Sequence, residues 1–334
     1  MSILLVSLPI LAIIFAANLV AARGDDRART LFNLLLFLVN LLLLVAGVAL
    51  RFLPPDAAVL PEFGLQLLDL GLGSATLIGM GLWGMVVSLR PARRRLSQLL
   101  PALKPESSVH TLALAAVGYL MGNAAISLAP GALDALAEAG IEATLIDVVA
   151  QQFAFVLAAF VGVGLLTRRG GPALNERLGL QRPTAAQIWT GVRWMVFFVF
   201  LQACISMTWT LFNAAEVEQL SGINESLLGN FDTVWEWFVL AAAAGLGEEL
   251  LFRGALQPIF GILPTSLIFA VSHVQYGLSP ATLAVFLLSL VLGIIRKRSN
   301  TTVAILVHAG YNFILGLLSL LALYLEPFLR QAAP

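Results

Sequence analysis

The chain has 334 residues, 59% hydrophobic and 11% charged, with zero net charge and a mean hydropathy of +0.92. Soluble domains average about 25% charged residues, so this composition excludes an ordinary soluble domain, and the charge balance excludes a basic face for nucleic acid. The single cysteine, Cys204, excludes an internal disulfide and reads as a small apolar residue.

The first segment, MSILLVSLPILAIIFAANLVAA, lacks a basic stretch ahead of its apolar run and is longer than a secretory core. It reads as a membrane helix. Apolar stretches of about 20 residues predict further spans near 31–52, 64–89, 109–129, 147–167, 187–212, 233–258, 263–276, 280–296 and 301–325. The expected fold is an all-α, polytopic transmembrane helix bundle of about ten spans, with eight to eleven compatible. The 263–276 segment is short and is the candidate for a tilted or re-entrant piece.

Charge sorts the loops. Arg23, Arg27 and Arg29 follow span one, Arg90, Arg93, Arg94, Arg95 and Lys104 follow span three, and Arg168, Arg169, Arg177 and Arg182 follow span five. Arg296, Lys297 and Arg298 follow span nine, while 53–63, 130–146 and 213–232 contain no Lys or Arg. The positive-inside rule then makes the basic loops cytoplasmic and predicts a multi-pass cell-membrane protein with both termini outside. The linker TRRGGPALNERLGLQRPTAAQ, rich in Gly, Pro and charge, predicts a division into an accessory bundle over 1–170, a cytoplasmic linker over 171–186 and a second membrane domain over 187–325. In the first part, Gly71, Ala75 and Gly79 form a small-residue stripe suited to close helix packing, and Asp69 is the one acidic residue inside a span. The outer segment ALDALAEAGIEATLID has acidic and apolar residues at helical spacing and fits either a helix on the outer membrane surface or a solvated helical loop.

The second part carries the chemistry. In AAAAGLGEELLFRGAL, Glu248, Glu249 and Arg253 fall within six residues of an apolar span, at about 2.5–3.5 kcal/mol each at a helix centre on insertion scales. Glu249 and Arg253 are at i and i+4, the favourable order for an ion pair, and Glu248 points about 100° away. Two of the three histidines, His273 and His308, lie in later apolar segments; His110 lies at a span start. At 1.5 Å per residue, Glu248, His273, His308 and Asn312 lie about 15, 16, 11 and 17 Å from the basic side. They therefore converge on one cavity, expected to open to the cytoplasm. A desolvated carboxylate and an imidazole can take a proton from water, while a second imidazole and an amide can stabilise an oxyanion. The same Glu248, His273 and His308 are alternatively ligands for Zn²⁺.

EExxxR at Glu248–Arg253, FxxxH at Phe269–His273 and HxxxN at His308–Asn312, in this order on successive apolar segments, resemble the CAAX prenyl protease type II family. That family includes bacteriocin-processing and bacteriocin-immunity membrane proteins. Leu178–Pro183, LGLQRP, resembles the segment preceding its core. The resemblance implies an intramembrane endopeptidase in which Glu248 activates water, His273 holds or shares it, and His308 and Asn312 stabilise the oxyanion. It gives Glu249, Arg253 and Phe269 organising roles. Both a zinc metalloprotease and a metal-free glutamate mechanism fit. The implied partners are the bilayer and a peptide or membrane-protein substrate, lipidated in part of the family, with no nucleic acid. A non-catalytic regulatory or immunity protein on the same fold is the alternative, and a proton-coupled transporter is a third.

Overall fold

The computed structural model describes residues 2–53, 70–129, 131–132, 134, 143–229 and 231–332. Asp69 and most of the 132–147 outer segment lie outside the described residues. The described chain is an all-α polytopic bundle. Its first helices are α1 (Ser2–Arg23), α2 (Asp26–Leu50), α3 (Leu70–Ser88), α4 (Arg90–Leu99), α5 (Ser108–Ser127) and α6 (Leu145–Val163). They are followed by α7 (Gly171–Leu178), α8 (Ala185–Phe212), α9 (Ala214–Leu228) and α10 (Val234–Glu248). A π-helical segment, Glu249–Leu256, continues α10 into α11 (Gln257–Phe260); α12 (Ile262–Val271), α13 (Pro280–Arg298) and α14 (Thr301–Ala332) complete the bundle.

Eight of these helices are long and apolar enough to cross a bilayer. The predicted span over 233–258 is α10 with its π-helical continuation. The short segment expected near 263–276 carries α12, which has 10 residues, about 15 Å, against a hydrocarbon core of about 30 Å. It reaches only mid-depth, and the return to the far side is finished by non-helical backbone and a short 3₁₀ turn, Val274–Tyr276. Irregular backbone at this depth is tolerated where it lies within protein or lines a cavity, and Gln275 and Tyr276 line one.

Helix α10 is central, packed between α6 and α14. Two glycines just ahead of the acidic pair permit this. A Cβ on Gly245 would lie 2.9 Å from the Ala309 backbone nitrogen on α14, and one on Gly247 would lie 2.7 Å from the Gln152 carbonyl on α6. The segment GLGEE thus lets two neighbours close on the helix at the level of its charges. In the first part, α3 lies against α2 and α5. The expected stripe of Gly71, Ala75 and Gly79 is exposed; the packed face instead carries Gly73, Gly81 and Gly84. Asn40 fills that seam, and its Oδ1 accepts from the Tyr119 hydroxyl at 2.7 Å.

The basic side is more than a topology signal. Arg93 is buried and donates to the carbonyls of Pro105 and Val87, each at 2.7 Å. His110 Nδ1 accepts the Lys104 N–H at 3.0 Å, a loop-fixing role. The 171–186 stretch is docked: Thr301 at the start of α14 donates from its N–H to Gly179 O at 2.9 Å and from its hydroxyl to Leu178 O at 2.5 Å.

Candidate active site

The π-helical segment starts at Glu249, directly after Glu248. Pro258 accounts for it in part. Proline has no N–H, so the carbonyls four and five residues before it, those of Gly254 and Arg253, lose their helical donors. Arg177 on α7 donates to Gly254 O at 2.7 Å and to Ala255 O at 3.2 Å, and Arg296 on α13 donates to Arg253 O at 3.2 Å. Burial, with Arg169, Arg296 and Arg168 adding like charge, lowers Arg177 to about 10, still protonated at neutral pH, so its bonds remain charge-assisted. π-Helical turns are frequent at functional sites, and this segment begins inside the acidic pair.

Arg177→Met is expected to leave those carbonyls unpaired. The cost is about 1–3 kcal/mol per unsatisfied buried group, read as a lower thermal midpoint in detergent. A midpoint equal to that of the unaltered protein would remove Arg177 from this role.

The acidic pair splits as the helix phase predicts. Glu249 is fully buried. Its Oε2 is 3.2 Å from Arg253 Nε, an ion-pair contact whose alignment falls short of a hydrogen bond. Its Oε1 accepts from His308 Nδ1 at 2.9 Å. Arg253, also buried, donates to Ser289 Oγ at 3.0 Å and lies over the Phe269 ring, 4.8 Å from its centroid. Phe269 separates the groups, with its ring 4.7 Å from that of His273 and 6.0 Å from that of His308. Glu249, Arg253 and Phe269 therefore stand behind the catalytic candidates and fix them.

Glu248 faces the other way, into a cavity of about 380 Å³ that it lines together with His273, His308 and Asn312. All four expected groups, carried by α10, the end of α12 and α14, meet there. His273 Nδ1 lies 2.8 Å from Phe269 O. A carbonyl only accepts, so the neutral ring carries its proton on Nδ1 and presents the Nε2 lone pair. That Nε2 is 3.9 Å from Glu248 Oε2, a buried oxygen with no hydrogen-bond partner among the described residues.

Sequence reasoning missed three contributors. Gln152, on α6 of the first part, donates from Nε2 to Glu248 Oε1 at 3.2 Å; a neutral amide in an apolar span gives no pattern to read. Tyr311 lines the cavity beside Asn312 and donates to Gln202 Oε1 at 3.4 Å. Helix α9 falls where only a loop is expected, and Val217, Leu220, Asn224 and Leu228 on one face of it line the cavity. Asn213 accepting from Glu216 N at its start is the capping signal that marks it.

The cavity extends to one side of the acidic pair. Its lining on α8 (Gln202 to Trp209), α10 (Trp237 and Leu240) and α13 (Ala281 to Leu288) lies on the halves remote from the basic ends. On the basic side of Glu248, the buried Arg253, Ser289 and Gln257 fill the space, with Gln257 bonded to Gly293 O at 2.9 Å. The cavity thus extends from Glu248 along the halves remote from the basic ends, and the polar network around Glu249 lies on its other side.

Among the described residues no three His, Cys, Asp or Glu side chains are grouped to hold a metal ion. Both histidines leave Nε2 available, His308 with Nδ1 held by Glu249 and His273 with Nδ1 held by a carbonyl.

Comparison with known proteins adds one match: residues 230–314 fit the family model described as Rce1-like, type II CAAX prenyl endopeptidase. No curated protein and no solved structure matches the chain. The matched stretch contains all three motifs and excludes α6, so Gln152 lies beyond it.

Proposed function

We propose that this multi-pass membrane protein, with its Rce1-like segment at 230–314, is an intramembrane endopeptidase that activates water with Glu248 and His273. The observation that carries the reading is the facing pair, Glu248 Oε2 and His273 Nε2, 3.9 Å apart on a cavity wall. One water about 2.8 Å from each acceptor would see them at an angle near 90°, close enough to its own geometry to donate to both. Its remaining lone pair is then free to attack a carbonyl carbon. Glu248 takes the proton as the C–O bond forms and later returns it to the departing amine as the C–N bond breaks. Asn312 donates to the developing oxyanion. His308, whose Nδ1–H is held by Glu249, donates from Nε2 as an imidazolium balanced by that carboxylate. No step requires a metal.

The substrate is a peptide or membrane-protein segment that reaches the site from the end of the bundle remote from the basic residues, beneath α9. With the basic ends cytoplasmic and both termini outside, the cleaved bond lies near the middle of the bilayer and is reached from the outer side. Among the described residues the cavity lining contributes one acidic or basic side chain, Glu248, besides the two histidines, which suits an uncharged segment.

The test is reconstitution of the purified protein in liposomes with single-span peptides carrying a neutral segment toward either face. Mass spectrometry of the products locates the cut. Cleavage is expected in peptides whose segment enters from the side remote from the basic loops, unchanged by EDTA or 1,10-phenanthroline. Chelator loss restored by zinc would overturn the metal-free route, cutting from the basic side would overturn the access route, and retained cleavage by His273→Ala would overturn the reading itself.

A further inference from the structure

The accessory bundle contributes more than a scaffold. Gln152 sits in the second turn of α6, buried among apolar residues. A primary amide without good partners in such a place costs several kcal/mol, yet only its Nε2 has a partner, Glu248 Oε1 at 3.2 Å. Its Oε1 is buried and has none among the described residues. A side chain held for helix packing would be better served by an apolar residue of the same length. The close approach that brings it there is built into α10, where only a glycine at 247 admits α6.

The contact has a geometric consequence. A carboxylate at the end of a Glu side chain rotates over a broad range. Bonding one oxygen to α6 fixes the plane and leaves the other, Oε2, toward His273 Nε2. The groups around Glu248 divide the work: Gln152 on one side, His273 on the other, and Glu249, already committed to Arg253 and His308, behind.

We infer that Gln152 is a positioning residue for the hydrolytic reaction, supplied by the bundle outside the matched family segment, and that it holds the Glu248 carboxylate in its water-activating orientation. This rests on the endopeptidase reading above, and its failure is separable from the failure of that reading.

The experiment uses the full-length protein in liposomes with a cleaved peptide. Gln152→Met keeps the length and removes the donor. It is expected to lower kcat about hundredfold, the order lost when a reacting group is misplaced by about 1 Å, with KM within twofold and the thermal midpoint retained. Because Gln152 acts through Glu248, the substitution should have almost no further effect in a Glu248→Gln background, where a merely structural role would multiply the losses. If Gln152→Met does not fold, Gln152→Ala carries the same comparison. Unaltered protein that cleaves no peptide would sink the endopeptidase reading. Active unaltered protein with full kcat in the variant, or with losses that multiply in the double variant, would sink the role of Gln152 alone.

Discussion

Glu248→Gln is expected to lower kcat by about 10²–10⁴-fold, the range of a lost general base, with the fold intact. The substitution keeps the shape and leaves an oxygen to accept from Gln152, so it isolates proton transfer from packing. Glu248→Asp separates the base from its position. The carboxylate survives but withdraws by about one C–C bond, and a misplacement of about 1 Å at a reacting centre costs about 10²-fold. His273→Ala should cost a similar amount, and adding it to Glu248→Gln should cost little more, because residues acting on one water behave as a unit. Peptide cleavage that Glu248→Gln leaves at its original rate would remove the carboxylate from the chemistry.

Much of this site is legible in the sequence because charge in an apolar helix is conspicuous and helix phase is simple. One residue, about 100° of helix rotation, separates Glu249, facing Arg253, from Glu248, facing the cavity, and the structure keeps that division. Equal depth brings His273, His308 and Asn312 to one wall. What escapes is non-local or silent. Gln152 lies 96 residues from its partner and carries no charge. The π-helical register depends on where Arg177 and Arg296, from other helices, find carbonyls to cap. Helix α9 is too polar to be seen as a span and too short to dominate a pattern. Depth alone says how far a residue lies from a face, and says nothing of which side of it is filled.

Arg253→Met is expected to be the most destabilising single change at the site. Arg253 and Glu249 are 1% and 0% exposed, and removing one partner of a buried pair leaves an uncompensated charge at a cost of about 3–5 kcal/mol. The Phe269 face and Ser289 lose their contact as well. Converting both partners to neutral residues is a different experiment. Buried pairs often exchange for uncharged residues with little loss, so Glu249→Gln with Arg253→Met should recover most of the thermal midpoint lost by Arg253→Met alone. The double variant should not recover catalysis. The amide introduced by Glu249→Gln can still accept from His308 Nδ1, but the carboxylate that balances an imidazolium is gone, and the oxyanion loses its charged donor. Midpoint and kcat would then part company, which separates the electrostatic task of Glu249 from its packing. If Arg253→Met proves as stable as the unaltered protein, the pair is not what keeps Glu249 buried. Should the double variant regain full kcat, the imidazolium at His308 is unnecessary and Asn312 alone must hold the oxyanion.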